Sequence, residues 1–216
     1  MKRIGLNTTN EYHILRHFDY VPNTYTKGLL GKEYFYYNYS DGSFQDGEID
    51  QETIKEALET KGSKFLRGIK QLETPREVLD LVKKRFDLLK EDEITWEIGD
   101  SNRFFSFIIK YSEPVGYKDL ISIDNLTAEQ KKRVRTVPRS NHEGEKSNMV
   151  KTISGIEKEP IDTIEVGIQD SEKLPFYLVT AYPGDLTLTK DFPNNTQSKE
   201  EYAVSKKYWN SHAFIE

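Results

Sequence analysis

The chain has 216 residues, of which 36% are hydrophobic and 12% aromatic, and it carries a formal net charge of −5 at pH 7. This length and composition predict a folded protein with a substantial core and argue against wholesale disorder. The absence of cysteine excludes disulfides, thiolate chemistry and a cysteine-rich zinc site. No run of residues is apolar enough to span a bilayer, and residues 1–12 lack the apolar core of a signal peptide. We therefore expect a soluble protein without a transmembrane segment, either cytoplasmic or delivered without a classical signal peptide.

The first part of the chain mixes aromatic strand signals with acidic turns and helices. Residues 33–39 have high strand propensity, and the pair Asp41-Gly42 predicts the tight turn of a hairpin. Asp50 is a typical N-cap and predicts a helix over residues 51–59. We also expect a short helix around residues 64–72.

The clearest helix signal begins at Thr74. The run Thr74-Pro75-Arg76-Glu77 is a capping box with proline at the first helical position. Apolar residues then recur at helical spacing through about residue 90, which predicts a core helix packed against a sheet.

Strand signals dominate after residue 103. Residues 103–111 are typical of a largely buried strand, and residues 119–123 are predicted to return antiparallel to it. Two more capping boxes predict a short basic helix after Thr127 that ends before Pro138, and a longer helix after Ser198. The other predicted strands are residues 161–169 and 176–182, paired as a hairpin, and residues 213–215.

Helices interspersed with mainly antiparallel strands indicate an α+β fold, with helices packed on a mainly antiparallel sheet. We divide the chain into an aromatic and acidic N-terminal segment, residues 1–72, and an α+β domain, residues 73–216. The N-terminal segment is either separate or integral to the same domain. Residues 41–60 carry a net charge of −6, whereas residues 126–151 carry +4. The basic segment either attracts phosphate or is a solvated helix face followed by a loop.

The loop predicted after the basic helix concentrates polar side chains around one glycine. It contains Arg139, Asn141, His142, Lys146 and Ser147. Such a stretch presents several hydrogen-bond donors to an anion, and histidine titrates near neutral pH. His142 and Lys146 are candidate catalytic residues, and Arg139, Asn141 and Ser147 are candidate phosphate-binding residues. The alternative is an ordinary exposed loop.

The strand over residues 176–182 ends in polar side chains. Thr180 and Tyr182 are two residues apart and therefore point to the same side of a strand, where both hydroxyls can orient a phosphate or a nucleophile. The alternative for Tyr182 is packing at the sheet end with its hydroxyl in water. His212, just before an apolar C-terminal strand, is a candidate catalytic acid or base, or else a hydrogen-bonded structural histidine.

His13 and His17 are four residues apart and would share one face of a helix. No glutamate follows His13 as in the zincin pattern, and the sequence offers no third ligand, so we predict no metal site and assign both a structural role. The sequence also contains no nucleophile elbow, Walker loop or dinucleotide fingerprint, and we expect no cofactor.

The C-terminal part resembles bacterial and phage ribonuclease toxin domains of the barnase–EndoU–colicin–RelE-like superfamily. The resemblance covers at most residues 74–216 and depends on the helix-then-sheet plan and on the strand Leu178-Val179-Thr180-Ala181-Tyr182-Pro183. A bacterial RNase A-like toxin family has a comparable ending. The resemblance implies a set of groups around one phosphate, here Thr180, Tyr182, His142, His212, Lys146 and Arg139. The acidic first third has no counterpart in it.

The resemblance and the polar residues together predict a metal-independent endoribonuclease that cleaves RNA by general acid–base catalysis. The expected partners are RNA and a cognate inhibitor or immunity protein. One alternative is a non-enzymatic phage or accessory interaction protein whose acidic region binds a partner. Another is an enzyme that acts on a nucleotide or ADP-ribose through the same phosphate-directed groups.

Overall fold

The computed structural model of the protein describes residues 4–5, 7–38, 43–90, 97–98, 103–139, 149–169, 176–185, 192–193 and 197–216. The helices within these ranges are α1 (Thr8–Leu15), α2 (Asn23–Leu29), α3 (Gln51–Glu59), α4 (Pro75–Leu88), α5 (Ala128–Lys131) and α6 (Lys199–Ser211). No helix in these ranges combines the length and the apolarity needed to cross a bilayer.

Four of the helices begin at the residues that the sequence predicts. The Asp50 side chain accepts a hydrogen bond from the backbone N–H of Thr53 at the start of α3, at 2.7 Å. Thr74, Thr127 and Ser198 each form the reciprocal capping box at the start of α4, α5 and α6. These predictions are confirmed because a cap satisfies backbone N–H groups that the helix itself leaves unpaired, a requirement that is local in sequence.

Within the described ranges, the strands form two larger sheets and two small ones. The strands are β1 (Ile4–Gly5), β2 (Glu33–Asn38), β3 (Ser43–Glu48), β4 (Glu97–Ile98), β5 (Arg103–Lys110), β6 (Gly116–Lys118), β7 (Leu120–Ser122), β8 (Arg135–Pro138), β9 (Met149–Ile153), β10 (Glu159–Ile161), β11 (Thr163–Gln169), β12 (Phe176–Pro183) and β13 (His212–Ile215). The main sheet has the order β1-β12-β11-β5-β4, and the second sheet has the order β7-β13-β9-β8. Two-stranded pairs join β2 to β3 and β6 to β10.

Most of these pairs are antiparallel, and the exceptions are the parallel pairs β1–β12 and β9–β13. The α+β fold with a mainly antiparallel sheet is therefore confirmed. The predicted hairpins β2–β3 and β11–β12 are both present, although the turn at Asp41-Gly42 lies outside the described residues.

The main hydrophobic core lies between the main sheet and the helices α1, α3 and α4. It contains Leu15 and Leu29 from the first 72 residues and Val82, Phe105 and Leu178 from the later ones. Side chains from both sequence segments thus share one core. The second sheet has its own smaller clusters, one of which includes Trp209 of α6.

Three local predictions are wrong. The basic helix predicted to end just before Pro138 ends at Lys131, because residues 135–138 form β8 and pair with β9. Residues 64–72 do not form a helix, because Gly68 and Gln71 have φ of 78° and 69°, and Phe65 forms a β-bridge with Gly116 instead. The strand β7 is present but pairs with β13 in the second sheet. The sequence offers no local signal for that partner, because β13 lies at the other end of the chain.

Candidate functional site

The candidate site forms where α1 packs on strand β12 of the main sheet. Asn7 caps α1 in a reciprocal box with Asn10, with both hydrogen bonds at 3.0 Å. The buried Asn10 also donates a hydrogen bond through Nδ2 to the backbone oxygen of Leu178, at 2.6 Å. Asn10 therefore both completes the cap of α1 and ties the start of the helix to β12. The next turn of the helix carries His13.

His13 lies against Thr180, 167 positions further along the chain. Its Nε2 atom is 3.3 Å from Oγ1 of Thr180, and the imidazole is half-buried. Burial is the largest cause that lowers the pKa of His13 to about 3, and the positive charges of Arg16 and Arg139 lower it further. His13 is therefore neutral near pH 7 in the free protein.

His17, one residue beyond the C-cap of α1, lies against the second polar residue of the strand. Its ring stacks on Tyr182, with centroids 5.2 Å apart, and its Nδ1 is 3.0 Å from the backbone oxygen of Ser63. A backbone carbonyl only accepts hydrogen bonds, so neutral His17 carries its hydrogen on Nδ1 and keeps a lone pair on Nε2. Burial and the neighbouring His13 hold the pKa of His17 well below its usual value.

The two imidazoles form a pair whose ring centroids are 6.0 Å apart. Each is matched with one hydroxyl residue of β12, His13 with Thr180 and His17 with Tyr182. The rings meet edge to face, with an interplanar angle of 62°.

Tyr182 also contacts the neighbouring strand. It is paired in register with Glu165 of β11, and the two side chains interact electrostatically. Burial raises the pKa of Glu165, and burial followed by the charge of Glu165 raises the pKa of Tyr182. Tyr182 therefore keeps its proton at neutral pH.

Two guanidinium groups give the site its positive charge. Arg16 is the C-cap residue of α1, and Arg139 directly follows β8, the edge strand of the second sheet. Arg139 donates a hydrogen bond through Nε to the backbone oxygen of Lys61 at 3.3 Å, and its charge lowers the pKa of both His13 and His17. The second sheet thus contributes a cation to a site whose hydroxyls come from the main sheet.

Lys64 fixes the chain that carries His17. Its Nζ donates hydrogen bonds to the backbone oxygens of Arg16, Phe18 and Leu58 at 2.6, 3.1 and 3.0 Å. Burial lowers the pKa of Lys64 to about 8. Because all three hydrogen bonds go to backbone oxygens, this lysine holds the turn after α1 in place.

Asp119 lies behind this turn. It is buried, its Oδ1 accepts a hydrogen bond from the Ser63 hydroxyl at 3.1 Å, and its Oδ2 has no hydrogen-bond partner among the described residues. Burial raises the pKa of Asp119. Ser63 thus links Asp119 to His17: its hydroxyl donates to Asp119, and its backbone oxygen accepts from His17.

Two of the residues predicted from the sequence contact the two imidazoles, Thr180 and Tyr182, and the charge of a third, Arg139, acts on both. His212 begins β13 in the second sheet, where its Nδ1 donates to the backbone oxygen of Tyr208 at 2.8 Å and its ring stacks on Tyr208. Asn141, His142, Lys146 and Ser147 lie outside the described residues.

The histidines beside Thr180 and Tyr182 are thus His13 and His17, to which sequence analysis assigns a structural role. Their spacing of four residues was the available signal, together with the spacing of two between the strand hydroxyls. Nothing in the sequence joins these two signals, because the packing of α1 on β12 depends on contacts that are distant in the chain. Within the described ranges, no three side chains of the metal-ligating types converge on a site that could hold a metal ion.

Comparison with known proteins identifies no family. No protein-family model matches the chain, and no curated protein matches it. A crystal structure of a conserved hypothetical protein from Toxoplasma gondii ME49 is similar to 66% of this chain and 86% of its own chain, with 13% sequence identity and a TM-score of 0.43. A TM-score below 0.5 establishes neither a shared fold nor a shared function.

Proposed function

We propose that the protein is a metal-independent endoribonuclease whose active site is the group of His13, His17, Thr180 and Tyr182, flanked by Arg139. The observation that carries the proposal is the pairing of two neighbouring imidazoles with two strand hydroxyls beside a guanidinium. Proton donors and acceptors beside a fixed positive charge are what cleavage of a phosphodiester by general acid–base catalysis requires.

In the proposed reaction, His17 is the general base, since its neutral form presents a lone pair on Nε2. Nε2 removes the proton of the ribose 2′-hydroxyl, and the 2′-oxygen attacks the adjacent phosphorus. The bond from phosphorus to the 5′-oxygen breaks, and protonated His13 gives its proton to that oxygen. The products are a 2′,3′-cyclic phosphate and a free 5′-hydroxyl, and the proton gained by His17 returns through solvent to His13.

The substrate itself supplies the charge that this scheme needs. Free His13 is neutral at pH 7, so it must gain a proton before it can act as an acid. A phosphate anion beside an imidazole favours the protonated form, and an ion pair at 4 Å contributes about 4 kcal/mol at the effective dielectric of a protein surface. Raising the pKa of His13 from about 3 to neutrality costs a similar amount, about 5 kcal/mol, because each pH unit corresponds to about 1.4 kcal/mol. Arg139 stabilises the additional negative charge of the phosphorane.

The proposal is tested by incubating purified protein with RNA in EDTA and identifying the ends of the fragments. We expect cleavage with 2′,3′-cyclic phosphate ends, and at least a 100-fold loss of rate in His13→Ala and in His17→Ala. His212→Asn is the matched control, since this histidine lies in the other sheet and should be dispensable. Intact RNA under all metal conditions, or full activity in both alanine variants, would overturn the proposal.

Expression separates this function from a non-enzymatic interaction protein. A ribonuclease toxin should be poorly tolerated in bacteria without a cognate inhibitor, whereas the double variant of His13 and His17 should be tolerated. Equal tolerance of the wild type and the double variant would favour the interaction protein.

A further inference from the structure

Glu165 lies next to the proposed active site, and sequence analysis gives it no role. Strands β11 and β12 pair antiparallel, with Glu165 directly opposite Tyr182, so the two side chains are on the same face of the main sheet. Glu165 is half-buried, and burial with the nearby charge of Asp185 raises its pKa. A carboxylate in the middle of a sheet costs free energy that a neutral residue would not cost.

The Glu165 carboxylate lies beside Tyr182, since both side chains are within reach of position 184 and the charge of Glu165 raises the pKa of Tyr182. A carboxylate in this place can accept the proton of the tyrosine hydroxyl. Such an interaction restricts the rotation of the tyrosine about its side-chain bonds, and its ring stacks on His17 with a centroid distance of 5.2 Å.

Gly184 makes room for this arrangement. A Cβ atom at position 184 would lie 2.7 Å from Cε2 of Tyr182 and 3.4 Å from Oε2 of Glu165. The first distance is too short for two carbon atoms, so any larger residue would displace the tyrosine ring. The backbone N–H of Gly184 also donates to the oxygen of Thr163 at 3.0 Å, which holds the glycine against β11.

We infer that Glu165 is a positioning residue for the reaction: it holds the Tyr182 ring against His17. Glu165 acts only through Tyr182. This inference rests on the proposed ribonuclease activity, because its consequence is a change in the rate of RNA cleavage.

The test compares Glu165→Ala with Glu165→Gln. The glutamine oxygen can still accept the Tyr182 proton, whereas alanine cannot. We expect Glu165→Ala to lower kcat about 10- to 100-fold with little change in KM, since small displacements of catalytic groups cost this much. Glu165→Gln should retain activity within about 3-fold, a rescue that follows from the retained acceptor.

A second pair of variants approaches Tyr182 from the other side. Gly184→Ala should lower kcat by displacing the ring, while Gly28→Ala should have no effect, because a Cβ atom at position 28 meets no atom within 4 Å. The nuclear magnetic resonance shifts of the His17 ring protons provide a readout independent of cleavage, since they respond to the stacked tyrosine. They should move in Glu165→Ala and in Gly184→Ala but not in Glu165→Gln or Gly28→Ala.

Full activity of Glu165→Ala, together with unchanged His17 shifts, would overturn the role of Glu165 and leave the proposed function intact. Loss of activity in Glu165→Gln equal to that in Glu165→Ala would also overturn it, because the charge rather than the position of Tyr182 would then matter. A wild-type protein that cleaves no RNA would overturn both proposals.

Discussion

The low pKa of His13 predicts that the protein loses stability between pH 7 and pH 5. In the unfolded chain His13 titrates near 6.5, whereas in the folded protein its pKa is about 3. Above pH 6.5 His13 is neutral in both states, so it does not make the free energy of unfolding depend on pH. As the pH falls below 6.5, the unfolded state gains a proton that the folded state does not, and the free energy of unfolding decreases until the pH reaches about 3.

The size of this effect follows from the two pKa values. At pH 5, protonation of His13 in the unfolded chain lowers the free energy of unfolding by about 2 kcal/mol relative to neutral pH, since each pH unit below 6.5 contributes about 1.4 kcal/mol. His17 should add to the loss, because its pKa is lowered in the same direction. Replacing His13 by asparagine removes the titrating group and keeps a polar side chain beside Thr180.

The assay is chemical denaturation at pH 7 and pH 5, followed by tryptophan fluorescence. The difference in the free energy of unfolding between the two pH values should be smaller by about 2 kcal/mol in His13→Asn than in the wild type. Val82→Ala, a core variant without a titrating group, controls for lower stability as such and should keep the wild-type difference. If His13→Asn also shows the wild-type difference between pH 7 and pH 5, the argument that burial holds His13 neutral is refuted.

Three further predictions concern the same part of the molecule. Asn10→Ala should lower the free energy of unfolding by about 1–3 kcal/mol in denaturation, since it removes the hydrogen bond from the Asn7 N–H to Asn10 Oδ1 and the buried one from Asn10 Nδ2 to the Leu178 oxygen. Phe86→Ala should cost about 3–5 kcal/mol in the same assay, because this side chain is fully buried in the main core. Sulfate, whose charge is constant between pH 5 and pH 7, should bind more tightly at pH 5 in calorimetry and should raise the pKa of His13 in nuclear magnetic resonance titrations. Equal affinity at both pH values would contradict a phosphate site at His13.

Local signals predicted most of the secondary structure because their physical causes are local. The capping boxes at Thr74, Thr127 and Ser198 each require only four consecutive residues. The α1 cap was missed because its third helical residue is Asn10, whereas the familiar box has glutamate or glutamine there. Residues 64–72 do not form the expected helix, since Phe65 forms a bridge to Gly116, which is distant in the chain, and Gly68 and Gln71 have positive φ.

The site could be predicted only in part, because its residues are distant in the chain. The strand hydroxyls Thr180 and Tyr182 were recognisable from their spacing of two. Their imidazole partners come from α1 and from the residue after its C-cap, 167 positions away in the case of His13, and the hydrogen bond from Asn10 to Leu178 fixes α1 on the strand. A single sequence contains no information on such a contact beyond the polarity of the residues that make it.

The cost of the two histidines to the free protein favours a bound anion over a purely structural role. A leucine in place of His13 would pack in this half-buried position without making the protein less stable in acid. His13 lowers the free energy of unfolding by about 2 kcal/mol at pH 5, whereas its hydrogen bond to Thr180 contributes about 1 kcal/mol. Arg16 and Arg139 increase that cost, because their charges lower the pKa of His13 further. An anion beside these groups would oppose the effect of the guanidinium charges on His13, since it attracts the guanidiniums and stabilises the protonated imidazole. Strongly lowered histidine pKa values beside fixed charges are typical of functional sites, which is why the proposal places the reaction here.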